Sequence, residues 1–208
     1  FGGDGRKLLR IVGYYTPERF GRVLDYLETK AYRNQHFRDY VQNTALGTDK
    51  EPRPMLSDTL FASPPHMLDR SRMPAKHPML VVFERPNCEA CERFHRRDLQ
   101  DRAVRKLIGE FEAVQLDAGD EQGRLITPAG ERTSPAAWYR GLDLSYLPAV
   151  LFFDAQGNEV MRIDSETLRF RMQGSLQLVL DRGYEVEPQL QRWRRAKAVE
   201  SIQRRGDS

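Results

Sequence analysis

Met79-Leu80-Val81-Val82-Phe83-Glu84-Arg85-Pro86-Asn87-Cys88-Glu89-Ala90-Cys91 is the stretch on which the fold turns. Met79 to Phe83 form a continuous apolar run that reads as a buried strand. Asn87 and Cys88 mark a turn, and a helix is predicted from there to about Leu107. A cysteine at a helix start meets unpaired backbone N–H groups and the positive end of the helix dipole, which favour its thiolate. Cys91 stands one turn further in, within reach to form or resolve a disulfide with Cys88. These are the only two cysteines among the 208 residues, so no disulfide framework staples the chain. A local dithiol, a metal half-site and coincidence remain open at this point. Haem attachment is excluded, because Glu92 and not His follows Cys91.

Working outward, Phe111–Leu116 reads as a second strand. A long connection over residues 118–146 carries a short helix near Pro135–Gly141. Val150–Phe153 is a third strand, followed by the turn Asp154-Ala155-Gln156-Gly157, a strand over Glu159–Ile163 and a helix over about Glu166–Asp181. The order is βαβ followed by ββα, an α/β arrangement in which a Cys-x-x-Cys between strand and helix carries far more weight than the motif alone. Leu147-Pro148 directly precedes the third strand, and its position relative to the cysteines leads us to expect a cis bond there.

These residues resemble a thioredoxin-fold domain over 79–184, and more particularly the exported thioredoxin-like proteins of the SoxW type. The string that carries the resemblance is Cys88-x-x-Cys91-x-x-x-His95, then Leu99-x-Asp101-x-x-Val104, then Phe111-x-x-Val114-x-Leu116-Asp117. It closes with Leu147-Pro148, Phe152-Phe153-Asp154, Gly157 and Val160-x-Arg162. The resemblance implies a three-layer thioredoxin-like fold and thiol–disulfide exchange with protein substrates. Cys88 would be the nucleophile, Cys91 the resolving thiol and Pro148 the proline facing the substrate; no cofactor is implied. The pattern also departs from ordinary thioredoxins. Asn87 stands where Trp is usual, and Glu89-Ala90 where Gly-Pro is usual. The buried aspartate of the central strand falls on Val82, and Glu84, two residues on, either substitutes for it or is an edge charge. His95, four residues from Cys91, permits a rival arrangement in which Cys88, Cys91 and His95 bind zinc or copper, with His77 as a distant fourth candidate. A third reading is a redox-inactive interaction module.

The flanks divide the chain further. Residues 1–46 carry a turn at Gly2–Gly5, an apolar strand-like run Leu8–Val12 and a helix opening at Pro17 with Phe20, Val23, Leu24 and Leu27 at helical spacing. A second helical piece carries Phe37, Tyr40 and Val41. Shifted by 152 positions, Phe1–Tyr32 aligns with Phe153–Tyr184, pairing Gly5 with Gly157, Arg10 with Arg162, Ile11 with Ile163, Leu24 with Leu176 and Tyr32 with Tyr184. It is expected to be a partial thioredoxin-like repeat, strand plus helix, whose apolar face invites self-association. Residues 47–78, rich in proline, read as a linker with helical turns around Pro65–Arg72, and residues 185–208 as a basic helical tail anchored by Trp193. Trp138 and Tyr139 are expected to pack the inserted helix onto the domain.

The net charge is +3, and the excess sits in that tail, so the balance points to a solvated helix face and not to nucleic acid. No apolar run is long enough for a membrane span. The chain starts at Phe1 without a visible targeting segment. Together with the single cysteine pair and the resemblance, this leads us to expect a periplasmic or otherwise exported protein.

Overall fold

The computed structural model describes residues 2–3, 5–9, 11, 15–37, 39–41, 53–144, 146–164 and 168–206. Helix α1 (Pro17–Glu28) comes first, followed by a 3-10 turn at Ala31–Arg33. The core is a four-stranded sheet of β1 (Met79–Glu84), β2 (Glu112–Asp117), β5 (Ala149–Phe153) and β6 (Glu159–Ile163), in the order β2-β1-β5-β6. β1 runs parallel to β2 and antiparallel to β5, and β5 is antiparallel to β6. Leu80 and Val82 face one core, with Val150, Phe152, Met172 and Leu176. Met79, Val81 and Phe83 face the other, with Leu116, Tyr139 and Leu151. Both faces of β1 are therefore covered, which is why its sequence lacks polar alternation. The result is an α/β sandwich of helix, sheet and helix consistent with a thioredoxin-like fold.

The crossover between β1 and β2 is not one helix. It consists of α2 (Glu89–Arg93), a π-helical turn over Phe94–Asp98, and α3 (Arg102–Ile108). The Leu99 N–H donates to the Phe94 carbonyl at 3.0 Å, closing the wide turn. Asp101 then caps α3, its Oδ1 accepting from the N–H groups of Ala103 and Val104 at 3.0 and 3.1 Å. That cap forces a fresh start where apolar spacing alone suggests continuity.

The connection after β2 contains a two-residue hairpin, β3 (Leu125–Ile126) with β4 (Arg132–Thr133), and then α4 (Pro135–Gly141). Ser134 caps α4 by accepting from the Ala137 N–H at 3.1 Å. Trp138 and Tyr139 pack on Phe83, with ring centroids 5.3 and 5.4 Å apart. Helix α5 (Arg169–Leu180) closes the fold, and after a 3-10 turn at Gly183–Glu185 the tail forms α6 (Leu190–Gly206). Trp193 is buried in that tail, against Gly183.

Two expectations require correction. Residues 53–78 hold no helix. Pro64-Pro65, joined by a cis bond, and the Asp69–Ser71 turn replace the helical turns expected around Pro65–Arg72. The expected strand over Leu8–Val12 is also absent at Leu8, Leu9 and Ile11, while Arg10 and Val12 lie outside the described residues. Among the described residues no strand pairs with this stretch, and a strand without a ladder leaves its backbone groups to water.

Candidate functional site

The C-terminal end of β1 delivers the chain to Asn87, whose φ of 58° is left-handed, a conformation that asparagine tolerates better than most residues. Cys88 follows as the N-cap of α2, its Sγ accepting from the Cys91 N–H at 3.1 Å. The two cysteines form a disulfide. Cys88 is half-buried, whereas Cys91 is 4% exposed. Cys88 is thus partly exposed and Cys91 is not.

The loop before the dithiol is fastened by a residue of the proline-rich segment. The Arg53 N–H donates to Asn87 Oδ1 at 2.7 Å, and the Asn87 N–H donates back to the Arg53 carbonyl at 3.0 Å. Arg53 Nη1 also pairs with Glu92 Oε1 at 2.7 Å. Beyond Arg53, Asp58 forms a two-pronged pair with Arg105 on α3, at 2.8 and 3.0 Å. That hydrogen-bonded guanidinium holds the Asp58 carboxyl below the usual carboxylate range.

A polar cluster lies beneath the helix. Glu84, the last residue of β1, is 0% exposed, so it is not an edge charge. Its Oε2 lies 2.9 Å from His95 Nε2 and accepts from Gln115 Nε2 at 2.6 Å. The Gln115 amide gives its other N–H to the Leu56 carbonyl at 2.7 Å. With both amide hydrogens spent, the 3.3 Å approach of Gln115 Nε2 to His95 Nε2 is no donation. One hydrogen is therefore shared between His95 Nε2 and Glu84 Oε2. Among the described residues Glu84 Oε1 has no donor. Oε2 thus has two side-chain partners and Oε1 has none among the described residues.

This arrangement also bears on the metal candidates. The His95 Nε2 is committed to Glu84, and His77 is exposed on the surface. Among the described residues no group of three or more His, Cys, Asp and Glu side chains is disposed to hold a metal ion.

The Leu147–Pro148 bond is cis. Pro148 lies one step beyond the Phe83–Ala149 pair of the antiparallel β1–β5 ladder, opposite Glu84. A shallow groove runs between this loop and the helix, lined by Ala90, Arg93, Phe94, Arg97, Asp98, Tyr146 and Pro148. Buried Asp98 is clasped by Arg97 Nε and Nη2 at 3.1 and 3.0 Å. The structure thus brings the three residues named from sequence, Cys88, Cys91 and Pro148, to the same end of the sheet. Sequence reasoning missed Arg53, Asp58 and Gln115. The only local signal was Asn87, whose tolerance of left-handed backbone marks a turn that needs an outside partner.

A sequence profile described as thioredoxin-like domain matches residues 66–176, just over half of the 208. No curated protein sequence matches the chain. Among solved structures, it is similar to a thioredoxin-fold protein from Helicobacter pylori, with a TM-score of 0.53 and 18% identity, covering 67% of this chain and 92% of that one. At that identity the likeness speaks for the fold.

Proposed function

Because the chain belongs to the thioredoxin-like domain family, we propose that it is a thiol–disulfide oxidoreductase acting on protein substrates through Cys88 and Cys91. One observation carries the reading: the disulfide sits at the start of α2 with Cys88 accessible and Cys91 buried. In the reducing direction the Cys88 thiolate attacks a substrate disulfide. A Cys88–substrate S–S bond forms, and the first substrate sulfur leaves with the electron pair of the broken bond. Cys91 then loses its proton, for which buried Glu84, held in place by His95 and Gln115, is the proposed acceptor. Its thiolate attacks the Cys88 sulfur, forming the Cys88–Cys91 disulfide and expelling the second substrate sulfur as a thiolate. Two electrons pass from protein to substrate; the oxidising direction is the reverse. Pro148 lines a groove together with Ala90, which stands between the two cysteines, and offers backbone to the bound substrate.

The test is equilibration with a glutathione redox series followed by thiol trapping. The pair should cycle as one two-electron couple. Cys88→Ser should abolish exchange, and Cys91→Ser should accumulate the mixed disulfide. Glu84→Gln should slow the resolving step by about 10²-fold, in the range of general acid–base effects. A pair that never cycles, or exchange that survives Cys88→Ser, overturns the reading.

An exported location belongs to the same proposal, supported by the resemblance to exported thioredoxin-like proteins and by a single Cys-x-x-Cys as the whole cysteine content. Fractionation of cells making the tagged parent protein tests it; recovery with the cytoplasm counts against it. Residues 1–46 we read as a partial copy of the closing half of the domain. The support is that α1 and its 3-10 turn coincide, at a shift of 152 positions, with α5 and the 3-10 turn that follows it.

A further inference from the structure

Two acids of α2 neighbour the dithiol, Glu89 between the cysteines and Glu92 after them, and each has a guanidinium. Glu89 pairs with Arg93 of the same helix at 3.1 Å. Glu92 pairs with Arg53, which arrives from outside the helix. Glu92 is the closer concern for Cys88. Its N–H donates to the Cys88 carbonyl at 3.0 Å, placing it one turn on along the same helix face. Its side chain is only 16% exposed, so its carboxylate is poorly screened by water. An unopposed carboxylate there would raise the energy of the Cys88 thiolate.

We infer that Arg53 is a positioning residue for the dithiol: its guanidinium neutralises Glu92 and so sustains the Cys88 thiolate. This rests on the exchange reading above. The backbone and side chain of Arg53 divide the work. Its N–H and C=O clasp Asn87, the residue before Cys88, while Nη1 holds Glu92. A side-chain substitution therefore leaves the backbone clasp in place and removes only the charge. The other charged groups around the dithiol are Glu89 with Arg93, Arg96, Arg97 with Asp98, Arg85, and the buried Glu84 with His95. Glu92 takes its cation from a segment remote in sequence, whereas Glu89 takes Arg93 from its own helix.

The experiment compares reduced wild type, Arg53→Gln, Glu92→Gln and the double variant. Iodoacetamide alkylation of Cys88 is followed across pH by mass spectrometry, and each protein is equilibrated with glutathione. Arg53→Gln should alkylate about three- to tenfold more slowly near neutral pH, the scale of one solvent-screened charge. Its titration should move to higher pH, and its glutathione equilibrium toward the disulfide. Glu92→Gln should move all three readouts the opposite way, and the double variant should return close to wild type. A residue that merely braces the loop would slow both single variants and the double together, which overturns the inference; so does an Arg53→Gln profile equal to wild type. If Arg53→Gln fails to fold, Glu92→Gln decides alone: faster alkylation supports the inference, and unchanged or slower alkylation overturns it. A wild-type pair that does not equilibrate with glutathione defeats the exchange reading, whereas the alkylation profiles still report on Arg53.

Discussion

Helices α1 and α5 end in the same way and are buried in different ways. Each is twelve residues long, and 152 positions separate both their starts and their ends. Each is followed by a left-handed residue, Lys30 at φ 56° and Arg182 at φ 52°, and by a three-residue 3-10 turn. The turns ahead of them also correspond. The Gly2 N–H donates to the Arg6 carbonyl at 2.8 Å, as the Asp154 N–H does to Asn158 at 3.0 Å, and Gly5 and Gly157 both have positive φ. Burial separates them. Met172 and Leu176 of α5 are 0% exposed beneath the sheet, while the residues in their places, Phe20 and Leu24, are 45% and 51% exposed. An adjoining flank of α1 is covered: Val23 and Tyr26 pack with Phe37. Among the described residues α1 thus keeps its local form and its contact with the helical stretch at Phe37, and has no sheet over Phe20 and Leu24. Capping, helix spacing and turn chemistry act within a few residues and reproduce themselves in isolation. A strand needs a ladder and a helix face needs a sheet, and these come from elsewhere in the chain.

The largest difference should appear on truncation of the equivalent leucines. Leu176→Ala should cost about 2–5 kcal/mol, as for a fully buried leucine, and Leu24→Ala within about 0.5 kcal/mol, as for an exposed one. Thermal or urea unfolding measures both. Equal costs would mean that α1 is covered in solution, and a concentration-dependent cost at Leu24 would identify a second copy of the chain as the cover. The smallest difference concerns the left-handed residues. Lys30→Gly should stabilise by up to about 1 kcal/mol, because glycine takes that backbone without strain. Arg182→Gly should gain less, since it gives up the Arg182 bond to Glu185 at 2.9 Å. An Arg182→Gly gain matching that of Lys30→Gly would show this exposed pair to be worth nothing.

What could be read from the sequence follows the same division. β1, the dithiol at the head of α2, the helix at Pro135 and the β5–β6 hairpin are written in residues a few positions apart, and they stand where expected. Glu84 was legible as a carboxylate in the right strand, but its burial was not, because that depends on Gln115 and His95 from two other elements. Arg53 and Asp58 were invisible for a related reason. They lie in a segment that proline makes look like a spacer, and their partners are 34 to 47 positions away. The π-helical turn hid because a single wide turn leaves the apolar spacing of a helix nearly intact while rotating the residues after it.

β2 is an outer strand of the sheet. Such strands present a row of unpaired amides and carbonyls, a template on which foreign chains can add and grow into fibrils. Here the Ala62 N–H already donates to the Ala113 carbonyl, and Gln115 reaches out to the Leu56 carbonyl. The segment that fastens the dithiol loop therefore also stands guard over the rim of the sheet. Losing it would loosen the dithiol loop and, at the same stroke, open the protein to aggregation.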